Sequence, residues 1–193
     1  MYPTIARETV DQLAANLDAD PFIILGVHDG IVRTFQPWAS AVWVVDPENM
    51  LYPMHESYPG FFEWVAPDRS VFAYQLKILE KEGSTRLIHD PYSFSVQQCS
   101  PLDMHLFGEG NHHRLWEKLG AHPSTYNGIS GVHFSVWAPS ARNVSVLGNF
   151  NRWDGRVHQM RRLEGMGIWE IFIPGLSPGE VYKFEIKNSQ GHI

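Results

Sequence analysis

The chain has 193 residues, a formal net charge of −6, 44% hydrophobic and 19% charged residues. That composition supplies packed cores and argues against disorder, and the negative balance gives no footprint for nucleic acid. No apolar run approaches the length of a membrane span, and the single Cys99 cannot form an internal disulfide, which fits a reducing cytoplasm.

In chain order, residues 5–18 place Ile5, Val10, Leu13 and Leu17 at helical spacing, and Asp20-Pro21 ends this short amphipathic helix. The first twenty residues are polar, with Arg7, Glu8, Asp11, Asp18 and Asp20, so no signal peptide is expected in them. Short β-type runs follow at 31–35, 41–45, 61–66 and 71–79, and again at 131–138, 143–148, 168–173 and 181–187. Between the two sets, "NHHRLWEKL" (111–119) predicts a connector helix with Asn111 as its N-cap. Strands joined by short turns make antiparallel sheets, and sheets facing each other make sandwiches. The expectation is an all-β chain of two tandem immunoglobulin-like β-sandwiches, with short helices at the N-terminus and in the connector. The domains fall at 1–105 and 106–193.

The two sets of strands resemble each other. Pro37, Ala39, Val42 and Val44 recur as Pro139, Ala141, Val144 and Val146, 102 residues on. Phe62-Glu63 recurs as Trp169-Glu170 after 107 residues, and "VFAYQLK" (71–77) as "VYKFEIK" (181–187) after 110. Upstream, Leu25-Gly26-Val27-His28 is echoed 94 residues later by Leu119-Gly120-Ala121-His122. The first unit continues to "HDPYSF" (89–94), whereas the second stops at "GHI" soon after its matching strand. A last strand is therefore expected to be missing, as in a fragment of a longer protein.

The two copies differ most at "LGNFNRWDG" (147–155), a turn-forming stretch that holds Trp153. The first copy has only "DPEN" (46–49) there. Alternation puts Tyr182, Phe184 and Ile186 on the core face and Lys183 toward solvent. In the 110-residue alignment Ala73 stands where Lys183 does. An exposed indole covers the apolar face of a sugar ring, and amide or cationic groups bond its hydroxyl rim. Trp153, Asn149, Asn151, Arg152 and Lys183 supply those groups. The alternative, favoured by composition alone, is that Trp153 folds back over a hydrophobic edge or a neighbouring domain.

Residues 132–160 and 167–186 resemble the carbohydrate-binding module that precedes the catalytic barrel of glycogen branching enzymes. That module also occurs in isoamylases and in the glycogen-binding subunit of AMP-activated kinase. "DPFIILGVH" (20–28), "FQPWASAVWVV" (35–45) and "HDPYSF" (89–94) resemble the extra N-terminal sandwich of the bacterial branching enzymes. The resemblance covers essentially the whole chain. It implies a parent enzyme that cuts α-1,4-glucan and transfers the piece to a 6-hydroxyl by retaining chemistry, with two carboxylates about 5–5.5 Å apart on a downstream (β/α)₈ barrel. No strand–helix alternation of that kind exists here, so no catalytic residue is assigned. Glu63, Asp68, Asp90 and Glu109 are read as strand, turn or connector residues. Trp153 and Lys183 match the glucan-contacting tryptophan and lysine of the kinase module, while a second stacking tryptophan has no match in 188–193. The implied partners are α-glucan (glycogen, amylose, malto-oligosaccharides) and the downstream barrel, for a monomeric cytoplasmic protein. A structural domain pair that braces a neighbour, or the module of a debranching enzyme, are the alternatives. The ten histidines give no zinc spacing, and there is no phosphate loop or nucleophile elbow, so no metal and no cofactor is expected.

Overall fold

The computed structural model describes residues 3–17, 20–163 and 165–193. Asp18, the expected last residue of the first helix, lies outside them. Contacts divide the chain into two compact units, Met1–Phe94 and Ser95–Ile193. The division expected after residue 105 falls inside the second. Each unit is a β-sandwich, and every strand pairing is antiparallel.

The first unit opens with helix α1 (Arg7–Ala14), which buries Val10 and Leu13. One sheet has the order β1 (Gly26–His28), β2 (Ile31–Phe35), β6 (Phe61–Val65), β5 (His55–Tyr58). The other runs β4 (Leu51–Pro53), β3 (Ala39–Val45), β7 (Gln75–Glu80), β8 (Thr85–Ile88). Alternation turns Val42, Val44, Leu76 and Ile78 inward against Val32, Phe62 and Trp64. Each fully buried aliphatic or Phe side chain of this kind contributes about 1.5–3 kcal/mol. The stretch 89–94 forms a 3₁₀ turn, Pro91–Ser93, in which the Asp90 carboxylate accepts the Tyr92 N–H.

In the second unit helix α2 (Pro101–Gly108) precedes a sheet ordered β12 (Arg161–Leu163), β13 (Ile168–Pro174), β10 (Ile129–Trp137), β9 (Gly120–Tyr126). β11 (Asn143–Gly148) pairs with β14 (Tyr182–Lys187), and residues 158–160 extend this pair through a bridge from Ser145 to Gln159. Phe134 is buried between the layers, with its ring 4.9 Å from Tyr182 and 6.5 Å from Phe150.

The duplication is visible bond by bond. The Gln36 N–H reaches Gly60 O at 2.7 Å, as Ala138 N–H reaches Gly167 O at 2.8 Å. His28 Nε2 donates to Leu25 O at 2.8 Å, and His122 Nε2 to Leu119 O at 2.9 Å. The 94-residue offset also extends upstream: α1 corresponds to α2, and the 3₁₀ turn Pro21–Ile23 to Leu115–Glu117.

Two expectations are corrected. The connector helix over 111–119 shrinks to Leu115–Glu117, because side chains take up the local backbone: Arg114 N–H donates to His112 Nδ1 (3.3 Å), and Asp103 holds His112 Nε2 (2.9 Å). The helix stands earlier, at 101–108, started by Pro101 and a capping box between Ser100 and Asp103. The second correction concerns register. Val42 pairs with Ile78 and Val144 with Ile186, so β7 and β14 correspond with a 108-residue offset, and Gln75 rather than Ala73 stands where Lys183 does.

Candidate carbohydrate-binding face of the second unit

β11 ends at Gly148, and the chain turns through Asn149–Asn151 into two successive left-handed residues, Arg152 and Trp153, both at φ 58°. That conformation costs roughly 1–2 kcal/mol per non-glycine residue, so the turn needs an internal brace. Asn151, 4% exposed, supplies it. Its Oδ1 accepts the Gly148 N–H (2.9 Å), and its Nδ2 donates to Val146 O (2.7 Å) and His158 Nδ1 (3.0 Å). Backbone bonds from Trp153 N–H to Gly148 O (2.9 Å) and from Asp154 N–H to Asn151 O (3.0 Å) complete the turn. Phe150 pins it to the core, its ring 5.6 Å from His158. Gly148 lies directly beneath that ring, where a Cβ would sit 2.2 Å from Phe150 Cε1.

With the turn fixed, Trp153 is presented outward and is 40% exposed. Its indole N–H donates to Asn149 Oδ1 (2.9 Å), which sets the ring's rotation. Asn149 and Arg152 are exposed on the same turn. Lys183, also exposed, pairs with Leu147 across the strands, one position from the root of the loop. Glu185, next on the same face of β14, has its carboxylate 2.7 Å from where a Gly155 Cβ would stand, so the loop folds over this face. Lys183 lies two residues along, about 7 Å away by strand geometry. The loop that carries the exposed indole, amide and guanidinium thus meets the face of β14 to which Lys183 belongs, and Asn151 is turned inward. Such a surface stacks on an apolar ring face and donates to hydroxyl groups.

Phe150, His158 and Gly155 belong to this architecture and were missed by sequence reasoning. Phe150 carried a signal, being the second aromatic residue of a polar turn. The first unit has no equivalent loop: at Asp46–Met50 the Met50 N–H closes on Asp46 Oδ1 at 2.8 Å. Trp169 is buried and donates to Ala138 O (3.0 Å), whereas Trp137 is 54% exposed and rests edge-on against Phe107.

The carboxylates set aside in the sequence have structural partners. Glu63 pairs with Arg33 (3.3 Å), Asp68 accepts Ser70 N–H (3.0 Å), Asp90 caps its turn, and Glu109 meets His105 (3.4 Å). Among the described residues no three His, Cys, Asp or Glu side chains are grouped to hold a metal ion, and no helix is long and apolar enough to cross a membrane.

Residues 6–92 match the N-terminal domain of alpha-1,4-glucan branching enzyme GlgB, and residues 118–193 match carbohydrate-binding module 48, the isoamylase N-terminal domain. The chain is 54% identical over 200 residues to 1,4-alpha-glucan branching enzyme GlgB of Gloeobacter violaceus (strain ATCC 29082 / PCC 7421), covering 100% of this chain and 27% of that protein. It is 51% identical to the enzyme of the same name from Trichodesmium erythraeum (strain IMS101), covering 98% and 26%. Among solved structures, pullulanase from Anoxybacillus sp. LM18-11 aligns with a TM-score of 0.29 and 16% identity over 85% of this chain and 24% of that one. The chain spans about a quarter of the length of the curated relatives it matches. The chain belongs to the glycogen branching enzyme family, of which it carries the N-terminal domain and the carbohydrate-binding module.

Proposed function

We propose that this chain binds and positions α-glucan (glycogen, amylose or malto-oligosaccharides) for a 1,4-α-glucan branching reaction. The bond-breaking carboxylates belong to a barrel outside these 193 residues, and the chain works as part of a monomeric cytoplasmic enzyme. The observation that carries the reading is the Trp153 ring, held by Asn149 and exposed on a loop whose root, at Leu147, pairs with Lys183. Stacking against the indole supplies most of the affinity, Lys183, Arg152 and Asn149 donate to the sugar hydroxyls, and Asn151 acts only by holding the turn. A single stack is worth about 1–3 kcal/mol by analogy with base stacking, so binding to short oligosaccharides is weak and gains strength on a polymer.

Native electrophoresis through a glycogen-containing gel tests this. Trp153→Ala and Lys183→Ala should each weaken retardation while melting within a few degrees of the parent. Equal retardation of all three would favour a bracing role. A collapsed Trp153→Ala protein would make the indole a core residue. The chain alone should leave the iodine spectrum of amylose unchanged, and a change would put catalysis within these residues.

A further inference from the structure

The face of the first unit that corresponds to this site carries an open groove. By register, β3 stands for β11 and β7 for β14, so Val45 replaces Leu147, Gln75 replaces Lys183 and Lys77 replaces Glu185. Where the second unit raises its long loop, the first makes the tight Asp46–Met50 turn. Beside that turn lies an open groove of about 400 Å³, within the size range of small-ligand sites. Val45, Leu51 and Leu87 give it apolar surface, and Asn49, Lys77 and Thr85 supply an amide, an ammonium and a hydroxyl. Leu51 is 44% and Leu87 51% exposed, on a sheet whose other face is packed by Val42, Val44, Leu76 and Ile78. Trp43, half-buried, lies in the same cross-strand row as Pro53, Lys77 and Leu87.

We propose that this groove is a second carbohydrate site, taking a short run of α-1,4-linked glucose. The proposal rests on the glucan-binding reading of the second unit. Two features favour a sugar over a docked protein. The surface is concave, and its lining mixes hydrogen-bonding side chains, including Arg86 paired with Glu80, with apolar ones, as suits a ligand with apolar ring faces and hydroxyl rims. It also occupies the place that its duplicated sibling gives to the Trp153 loop. The two copies would then hold glucan by different means: a raised indole in one, a groove walled by β8 in the other.

The test is a ¹⁵N indole spectrum of the full chain titrated with maltoheptaose, its signals assigned by single Trp→Phe substitutions. In the Trp153→Ala/Lys183→Ala background, the Trp43 signal should still move with sugar, and Leu87→Glu should weaken that response on the order of tenfold. Leu87 is half exposed, so this variant keeps the fold even where Trp43→Ala does not. If Trp153 responds in the parent chain and Trp43 never does, this proposal falls and the function above stands; a protein-docking face would give that result. If neither signal moves, both fall. A Trp43 response untouched by Leu87→Glu places the sugar elsewhere and also overturns the groove.

Discussion

Asn151 has the composition of a sugar-facing residue and the geometry of a brace. Both Nδ2 hydrogens and Oδ1 are used inside the loop, and these bonds hold the two left-handed residues in place. Asn151→Ala would leave the buried Gly148 N–H and Val146 O without their partner, at about 1–3 kcal/mol each at most. The expected outcome is a lower melting temperature together with weakened glycogen retardation, although Trp153 and Lys183 are untouched. Asn149→Ala, on the exposed side of the same turn, should leave melting unchanged and weaken retardation only. Asp90 makes a different kind of residue-scale prediction. Burial raises its pKa from 3.8 to about 6, against the pull of the Tyr74 hydroxyl (2.6 Å) and the Tyr92 N–H (3.0 Å). The folded state therefore holds this proton more tightly than the unfolded chain does, and the contribution to stability falls as pH rises from about 4 to 6. Relative to Asp90→Asn, the parent should lose on the order of 2–3 kcal/mol between pH 4 and pH 7. Denaturant titrations of the two proteins across that range measure it, and parallel pH profiles would contradict it.

At the scale of elements, each unit ties its leading segment to a buried carboxylate on a central strand. In the first, Glu63 accepts the Thr4 N–H (3.3 Å) and pairs with Arg33. In the second, Glu170 accepts the Gln98 N–H (3.1 Å), pairs with Arg161 (2.7 Å) and meets His133 Nε2 (3.3 Å). Burial works against the Glu170 charge, but His133, Arg161 and the Gln98 N–H outweigh it and keep its pKa below the usual value. Glu170→Gln would leave the partly buried Arg161, its side chain 13% exposed, beside a neutral amide, at no more than about 3–5 kcal/mol. Ser100→Ala, which removes only the cap of α2, should cost about 1 kcal/mol; thermal melts of the two variants rank them. The duplicated glutamates were legible in sequence, because Phe62-Glu63 and Trp169-Glu170 preserve both spacing and type. The register of β7 against β14 was not, because a two-residue slip keeps every side chain on its own face, and alternation alone cannot separate an offset of 108 from one of 110. Helix α2 was not read from the sequence, although the Ser-Pro-x-Asp start and the 94-residue echo of α1 both mark it, because Leu102, Met104, Leu106 and Phe107 form no helical stripe. The outward setting of Trp153 and of Lys183 was legible because each lies at a position that alternation or turn chemistry turns toward solvent. The Asn151 brace did not, because its partners Val146 and His158 are chosen by the fold of the loop.

At the scale of the whole molecule, the equivalence of α1 with α2 decides where a self-sufficient second unit begins. Residues 95–105 sit ahead of the β-strands, yet they hold the Gln98 N–H that bonds Glu170, the Val96 carbonyl that accepts from Arg161, and Cys99, which is 2% exposed against Leu163 and Ile168. Met104 and Phe107 of α2 pack on the same cluster. A fragment of 95–193 retains all of these and should fold cooperatively, with a Trp153 indole response to maltoheptaose equal to that of the full chain. A fragment of 106–193 keeps every strand of the second unit and the Glu170–Arg161 and Glu170–His133 contacts, but loses the Gln98 N–H from Glu170 and the Val96 carbonyl from Arg161, and uncovers Leu163 and Ile168. Two hydrogen bonds to charged groups, at about 1.5–3 kcal/mol each, put the expected loss on the order of 3–5 kcal/mol, close to the lower end of small-domain stability. It should appear as a strongly lowered or absent melting transition, with weakened sugar binding that recovers when 95–105 is restored. Equal melting of the two fragments would mean that the leading segment merely rests on the sandwich, and that the buried glutamate is satisfied without it.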